Sequence, residues 1–535
     1  NFFDWIPELL QGRAEFIGGL PAQYQQIILP NLVRGVAFII SKLWNDETHL
    51  GYLFQSLSGH FPDSDPPHRI LRYTFFAFLI REILDTFQPL RNKIVGDKQD
   101  TALFDLFNEI VQSNFPDPSQ ISVNALQLML VILMFYQKTN QSNTKSKTTE
   151  KIEYTCDLPP QFRDLFVDQN FINTLFSIIP IKQSPNFAQI ILQIVYQMVS
   201  VKSSYFAAKD NTAMFVSAVF HNLALIINEG IYNFVLKDLG LVLNKITSTF
   251  FRETNILGMI QEETQNLIQQ VGNIMPALLS TPETFLKENF ALVNIMQFWI
   301  NITTKYTMFK DTISPIFRQY IECLMNASEA DPNAIVEILE LDKAAISDAI
   351  TIIPIMLKTD FDGLTEPLDK VSRQVFDKYK ESLVSGDGGL FRNLDIQLSC
   401  FILLMASGLR SVATKQTIRK RDTLMAFEVA FLNFIFEVSE FTGENIQHIF
   451  EIHKQYYEQN GCTSMFGLFV EKAIYQFSLN FQKSNQGYCR PEPSREEIDQ
   501  VAASYQRVIK RLVDALLNLH LIVDLKPLLQ GFSLF

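Results

Sequence analysis

The segment 185–201 reads PNFAQIILQIVYQMVSV, and its apolar residues recur at the spacing of one face of an α-helix. They stand at i, i+3, i+4, i+7, i+8, i+11 and i+12, along a single stripe: Phe187, Ile190, Ile191, Ile194, Val195, Met198 and Val199. The same spacing recurs in 292–302, 424–438 and 508–522, and the alternation of half-buried strands is scarcely present. The sequence therefore predicts an all-α protein.

The chain has 535 residues, several times the length of an ordinary domain, and turn signals separate its apolar stripes. Grouping the stripes in pairs gives a period of ~40 residues, the range of HEAT and armadillo arrays. One pair cannot bury its own apolar face, so neighbouring pairs must stack. We expect one continuous HEAT/armadillo-type α-solenoid over 1–535, a right-handed superhelix of antiparallel helix pairs. We also expect a flexible inter-helix loop at 138–155 and longer loops at 384–393 and 484–496.

Composition and charge narrow the range of ligands. The chain holds 46 Phe and only 3 Trp, which favours aromatic residues as core filler. Its formal net charge of −12 is opposite to the field that binds a phosphate backbone, so a direct nucleic-acid ligand is not expected. Longer uncharged stretches are interrupted by Gln, Asn and Ser, which argues against insertion into a membrane.

The motifs of common enzymes are not found. The glycine cluster Gly386-Asp387-Gly388-Gly389 lacks the Lys and Ser/Thr of a phosphate-binding loop and is better explained as a turn. His448 and His453 stand at i, i+5, about 140° apart on a helix, which does not suit a shared metal. Five scattered cysteines without a CxxC pair indicate reduced thiols rather than a disulfide framework or a zinc site: Cys156, Cys323, Cys400, Cys462 and Cys489. We therefore expect no enzyme activity, no cofactor and no metal.

The segment 329–369 is strongly acidic, with ten Asp and Glu against two Lys. If these carboxylates line one edge of the solenoid, they produce a negative field that can steer a basic partner. The alternative is that they form the solvated faces of two ordinary helices. The candidate partner-binding residues are Glu329, Asp331, Glu337, Glu340, Asp342 and Asp348.

Several stretches resemble a known family. Read in order, 69–92, 103–110, 157–179 and 189–206 are similar to the early and middle repeats of the exportin-7-like branch of the karyopherin-β (importin-β) nuclear transport receptors. The most specific run goes from Leu158-Pro159 through Phe162-Arg163, Phe166 and Leu192-Gln193 to Ser203-Ser204 and Phe206. Weaker similarity continues through 290–325, 398–413 and 467–483, so that the resemblance spans roughly 35–520.

The resemblance implies a Ran-dependent exportin that carries protein cargo through the nuclear pore by cooperative binding of cargo and the GTP form of Ran. It also implies contacts with Phe-Gly-repeat nucleoporins and shuttling between nucleus and cytoplasm. Receptors of this kind are longer, which implies that N-terminal repeats and a C-terminal half lie outside this chain. The alternative from periodicity alone is a non-transport HEAT-repeat scaffold or regulatory subunit.

Overall fold

The computed structural model describes residues 66–86, 101–140, 153–251, 256–305, 309–339 and 361–411. It also describes isolated positions within 31–38, 91–95, 352–356 and 433–455. By its internal contacts the chain divides into two compact units, and the division falls between Asn273 and Ile274. Unit 1 holds the described residues up to Asn273, and unit 2 holds those from Ile274 onward. The expectation of one continuous array over 1–535 stays a prediction.

The all-α prediction is confirmed. The described helices of unit 1 are α1 Pro66–Thr86, α2 Ala102–Asn114, α3 Val123–Phe135, α4 Gln161–Val167, α5 Gln169–Lys182, α6 Pro185–Val199, α7 Lys209–Asn228, α8 Leu236–Phe250, α9 Ile256–Met259 and α10 Gln261–Leu278, of which the last continues into unit 2. Those of unit 2 are α11 Pro282–Lys287, α12 Asn289–Lys305, α13 Lys310–Ala330, α14 Pro332–Ile338, α15 Phe361–Ser385 and α16 Gly388–Ser411. Short 3-10 turns cover Pro118–Gln120, Ser203–Phe206 and Ile231–Phe234.

Three helices begin where the sequence places a capping residue directly before proline. The pairs are Ser184-Pro185 at α6, Thr281-Pro282 at α11 and Asp331-Pro332 at α14. Proline suits the first helical position because its fixed φ is already helical and its missing N–H would have had no partner there. These starts fall at the turn signals that separate the apolar stripes, so the local sequence determines where the helices begin.

The helices of unit 1 pack as two rows. In the first row α1 packs on α3, α3 on α6, and α6 on α8. In the second, α4 and α5 pack on α7, which packs on α9. Polar side chains join neighbouring helices across 45–50 residues of sequence: Thr74 with Asn124, Asn173 with Asn222 and Gln193 with Asp238 within the rows, and Ser217 of α7 with Glu263 of α10. This recurrence is the repeat-like regularity that the punctuation of the sequence predicted.

A chain of phenylalanine rings fills the interior of unit 1. From α2 to α8, successive ring centres lie 4.8–6.2 Å apart. This phenylalanine spine consists of Phe107, Phe162, Phe166, Phe215, Phe206 and Phe250, each fully buried. Offset and edge-to-face ring pairs add to the free energy of burial, so the prediction of phenylalanine as core filler is confirmed for these residues.

The ends of the segment 138–155 differ from the expected loop. Strands β1 Gln137–Asn140 and β2 Glu153–Cys156 pair antiparallel, with Gln137 opposite Cys156 and Asn140 opposite Glu153. Arg91 donates hydrogen bonds to the carbonyls of Phe135 and Gln137 at the start of this hairpin. Paired backbone amides satisfy each other here, which a reading based on polar composition did not anticipate. Residues 141–152 lie outside the described residues.

The expected loop at 384–393 is wrong, because α15 ends at Ser385 and α16 begins at Gly388. Gly386 adopts a left-handed φ of 72°, a conformation that glycine reaches without steric penalty. The Asp387 carboxylate accepts hydrogen bonds from the amides of Gly389 and Leu390 at 3.0 and 3.1 Å. A two-residue turn therefore joins the helices, as the glycine cluster indicated. The expected loop at 484–496 lies outside the described residues.

In unit 2, helix α16 packs against α13, α14 and α15, while α11 packs on α13 and, less extensively, on α12 and α14. The centre of α16 is buried on most sides, and Cys400, Ile402 and Leu404 are fully buried. Trp299 of α12 and Tyr320 of α13 are fully buried as well. Helix α16 is therefore the element around which the described part of unit 2 is organised.

One described helix, α7, is long and apolar enough to cross a membrane by length and composition. Of its most apolar stretch, 67% is buried inside the protein. Its residues contact α4, α5 and α9, and only a narrow stripe that includes Met214, His221 and Leu225 is exposed. These contacts are those of a core helix.

Candidate functional site

The structure describes three of the six predicted acidic site residues. Glu329 lies in the last turn of α13, Asp331 joins α13 to α14, and Glu337 lies in the last turn of α14. All three are exposed, and they occur within nine consecutive residues of the chain. This group is named the acidic junction below. Glu340, Asp342 and Asp348 lie outside the described residues.

Asp331 has a structural role that its charge alone would not indicate. Its Oδ1 accepts a hydrogen bond from the amide of Ala334 at 3.1 Å, which makes it the N-cap of α14. Its own amide donates to the carbonyl of Ala327 at 2.9 Å, which closes the end of α13. An N-cap of this kind contributes about 1 kcal/mol to stability, so the fold itself accounts for Asp331.

Glu329 and Glu337 have no comparable structural reason for their positions. Each lies near the C-terminal end of its helix, where the partial charge of the helix is negative and a carboxylate is unfavourable. No basic residue occupies the last turn of α13 or of α14. The two carboxylates therefore add to a negative potential that the helix ends already create.

Lys378 of α15 partly offsets this charge. Its Nζ lies 4.0 Å from Glu329 Oε1, at the limit of an ion pair, and the side chains are 62% and 73% exposed. Exposed pairs at this distance contribute little to stability. Lys378 was missed by sequence analysis because 49 residues separate it from Glu329, and only the packing of unit 2 brings the two together.

The end of α13 is held in place by a buried contact. Gln397 of α16 donates from Nε2 to the carbonyl of Ser328 at 3.1 Å, and Ser328 is fully buried. The Ser328 hydroxyl donates in turn to the carbonyl of Met325 at 2.6 Å. The residue that precedes Glu329 is thus fixed to a neighbouring helix, so the acidic junction lies on a rigid element.

The acidic character does not continue unchanged to the end of the segment 329–369. Asp369 accepts from Nε of Arg373 at 3.2 Å, and Arg373 also lies 3.9 Å from Glu437. The arginine neutralises part of this charge locally. Among the residues whose side chains the structure describes, the acidic junction is the part of the segment that is both exposed and only weakly paired.

The described cysteines are not suited to nucleophilic chemistry. Cys156, Cys323 and Cys400 are free and buried. Burial raises the pKa of Cys156 and Cys400 to about 12 and that of Cys323 to about 11, so these thiols stay protonated at neutral pH. Within the described ranges, no group of three or more His, Cys, Asp or Glu is placed to hold a metal ion. Cys462 and Cys489 lie outside those ranges.

Comparison with known proteins adds no assignment: no protein-family model matches the chain, and no curated protein sequence matches it.

Proposed function

We propose that this chain belongs to a Ran-dependent nuclear transport receptor of the exportin type, which carries protein cargo by cooperative binding of cargo and RanGTP. The observation that carries the proposal is the two-row helix packing of unit 1, with polar contacts recurring across 45–50 residues. That separation is close to the length of a HEAT or armadillo repeat. The proposal therefore includes the HEAT type of fold and one continuous right-handed superhelix.

The residues on which the resemblance rests are evidence for the fold more than for the transport activity. Leu158, Phe162, Phe166, Leu192 and Phe206 are all buried in unit 1. Side chains in such positions maintain the packing between repeats and touch no partner. The proposed activity rests instead on exposed surfaces, of which the acidic junction is the best defined.

The acidic junction is proposed to contact a basic surface of Ran or of cargo. Carboxylates at Glu329 and Glu337 are unfavourable for their own helices, and a binding role would account for their presence there. Charge complementarity of this kind mainly speeds association and selects among partners. We propose that the protein acts by binding and without catalysis, so that no cofactor is needed.

The proposed cycle couples two ligands through one array of helices. RanGTP and cargo bind together in the nucleus, and each raises the affinity for the other by the same factor. Hydrolysis of GTP in the cytoplasm then releases both, and contacts with Phe-Gly-repeat nucleoporins allow passage through the pore. The protein would accordingly be found in nucleus, cytoplasm and nuclear pore.

A titration against Ran loaded with GTP, and separately with GDP, tests this proposal. It uses the longest natural chain that contains these 535 residues, because the resemblance implies that early repeats carry much of the Ran surface. We expect a preference for the GTP form of about 100-fold, or about 2.7 kcal/mol. Equal or absent binding would instead favour a non-transport HEAT scaffold.

Variants at the acidic junction test its part in binding. Glu329→Lys combined with Glu337→Lys should weaken the complex and reduce its salt dependence. Asp331→Asn keeps the N-cap of α14, since Asn is as good an N-cap as Asp, and removes one charge of the acidic junction, so it should weaken the complex less than the double charge reversal does. Unchanged affinity of the double variant at low salt would remove the acidic junction from the interface while leaving Ran binding itself untouched.

A further inference from the structure

Arg163, in the first turn of α4, lies over a fixed aromatic ring. Its guanidinium carbon is 5.5 Å from the centre of the Tyr205 ring. The Tyr205 hydroxyl donates to the carbonyl of Pro159 at 2.6 Å, and the ring meets Phe206 edge-on at 5.6 Å. Burial raises the pKa of Tyr205, so this hydroxyl stays protonated and keeps donating at physiological pH. The Tyr205 ring beneath the guanidinium is therefore held by the hydrogen bond of its hydroxyl and by its contact with Phe206.

Two other described arginines have the same arrangement, and each also has a carboxylate. Arg72 lies 5.9 Å from the centre of the Phe76 ring, and its Nη2 is 2.7 Å from Glu109. Arg373 lies 5.6 Å from the centre of the Phe434 ring, with Asp369 at 3.2 Å. In both cases the fold supplies a ring and an acid to one guanidinium.

At Arg163 the ring is present and the acid is missing. The Nε of Arg163 is buried and has no acceptor, and none of the described carboxylates forms an ion pair with it. Asp164 lies near enough to Tyr205 to help raise the pKa of its hydroxyl, but it forms no ion pair with Arg163. Because Nε is buried, a carboxylate from outside the protein can meet only the outer Nη groups of this guanidinium. The arrangement is thus complete except for an anion.

The surroundings favour an anion from outside the chain. Lys202 and Ser204 come shortly before Tyr205 in the sequence, and both are exposed. A guanidinium presents N–H groups in a rigid fork that matches a carboxylate with two parallel hydrogen bonds. In the first turn of α4 the Arg163 guanidinium is not stabilised by the helix, because the partial charge at a helix N-terminus is positive.

We propose that Arg163, held on Tyr205, is an anchor for a carboxylate side chain in an acidic segment of a protein partner. This site lies in unit 1, has the opposite charge to the acidic junction of unit 2, and does not depend on whether the protein binds Ran. Its occupant would complete the arrangement that Glu109 and Asp369 complete for Arg72 and Arg373.

A peptide titration on the full chain tests the anchor. The probe is a fluorescein-labelled peptide of about twelve residues in which Glu alternates with Ser, and fluorescence anisotropy measures its Kd at low salt. A second peptide with Gln at every Glu position is the control for charge. We expect the Glu peptide to bind and the Gln peptide to bind at least tenfold more weakly. Equal affinities, or no binding of the Glu peptide at millimolar concentration, would overturn the proposal.

Arginine variants test whether the Glu peptide binds at Arg163. Arg163→Met should weaken the Glu peptide at least tenfold, and Arg163→Lys should weaken it less, because lysine keeps the charge but loses the fork. The matched control is Arg81→Met, which removes an equally charged side chain from a loose, exposed pair with Asp85 at 3.8 Å. We expect this control to bind as the wild type does.

A purely structural role for Arg163 predicts a different pattern. In that case Arg163→Met would lower the unfolding temperature and leave the affinity of the Glu peptide unchanged, which contradicts the anchor. Should the Met variant fail to fold, Arg163→Lys retains the charge and the aliphatic stem and decides the question alone. Tight binding of a phosphoserine peptide without binding of the Glu peptide would overturn the assignment to a carboxylate.

Discussion

The two units fill their interiors with aromatic residues in different ways. In unit 1 the phenylalanine spine runs without a break from α2 to α8. In the described part of unit 2 the aromatic residues form separate groups: the pairs Phe285 with Tyr320 and Phe298 with Trp299, and a chain of five rings that includes a tyrosine, Phe434, Phe376, Phe441, Tyr379 and Phe391. A phenylalanine ring needs only apolar neighbours, so several helices can share it, whereas a buried Tyr or Trp also needs a hydrogen-bond partner.

That polar requirement is met at some buried rings and left unmet at others, and the hydroxyl of Tyr73 in unit 1 is one that has no hydrogen-bond partner. The Tyr205 hydroxyl of unit 1 donates to a backbone carbonyl at 2.6 Å. In unit 2, the Tyr320 hydroxyl and the Trp299 indole N–H are buried without a hydrogen-bond partner. The phenylalanine spine therefore packs the centre of unit 1 without a polar cost of its own, whereas buried Tyr or Trp rings such as Tyr73, Tyr320 and Trp299 carry one wherever their polar group has no partner.

The largest expected effect follows from the centre of the phenylalanine spine. Phe162→Ala removes a fully buried ring whose centre lies 5.0 Å from that of Phe104 and 5.2 Å from that of Phe107, so it should cost about 3–5 kcal/mol of unfolding free energy. Phe234→Ala in the same unit is the control, because Phe234 is 70% exposed and its loss should change little. Urea unfolding measures both. Similar losses would show that the spine is not the core of unit 1.

One buried thiol in each unit makes the pH dependence of that unit's stability measurable. The folded pKa of Cys156 in unit 1 and of Cys400 in unit 2 is about 12, well above that of an unfolded thiol near 8.5. Ionisation therefore favours the unfolded state, and stability should fall as the pH rises above about 9, by up to about 1.4 kcal/mol per pH unit for each thiol.

Urea titrations at pH 8 and at pH 10, each followed by labelling with a thiol reagent, check this prediction. The chain would carry Ser at Cys323, Cys462 and Cys489, with Cys156 or Cys400 retained one at a time. We expect labelling only through opening of the unit that holds the thiol, and opening at lower urea concentration at pH 10 than at pH 8. Fast labelling of either thiol in native buffer would contradict its burial.

The same substitution should have opposite effects in the two units. Tyr205→Phe in unit 1 loses the hydrogen bond to Pro159 and should cost about 1 kcal/mol. Tyr320→Phe in unit 2 removes a buried hydroxyl that has no partner and should be neutral or stabilising by about 1 kcal/mol. Thermal unfolding of the two variants gives the sign directly. A loss for Tyr320→Phe as large as that for Tyr205→Phe would contradict the distinction between a bonded and an unbonded buried hydroxyl.

The smallest expected effect concerns the acidic junction. Glu329→Lys replaces a carboxylate near the C-terminal end of α13 by a cation that the helix favours, so stability should rise by about 0.3–1 kcal/mol at low salt. The gain should shrink in 0.5 M salt because the site is exposed and screened. A loss of stability would show that the pair with Lys378 outweighs the helix effect, and thermal unfolding at both salt concentrations separates the two.

The helices, and the kind of residue that packs between them, could be predicted from the sequence alone. The stripe of 185–201 became α6, Ser184-Pro185 marked its start, and the abundance of Phe over Trp indicated an apolar core. These features are local, since periodicity, capping and composition act within a few turns of the chain. The acidic segment could be identified as well, because the number of charged residues in a segment follows directly from the sequence.

Only the tertiary structure decided which of those residues share a site. It joined Glu329 to Lys378, turned Asp331 into a helix cap, paired the ends of the expected loop at 138–155 as strands, and placed Arg163 on Tyr205. Each of these outcomes depends on the packing of particular helices or strands or on the angle between two side chains. Such contacts are set by the sum of many small packing terms across the unit, and no short window of sequence contains them.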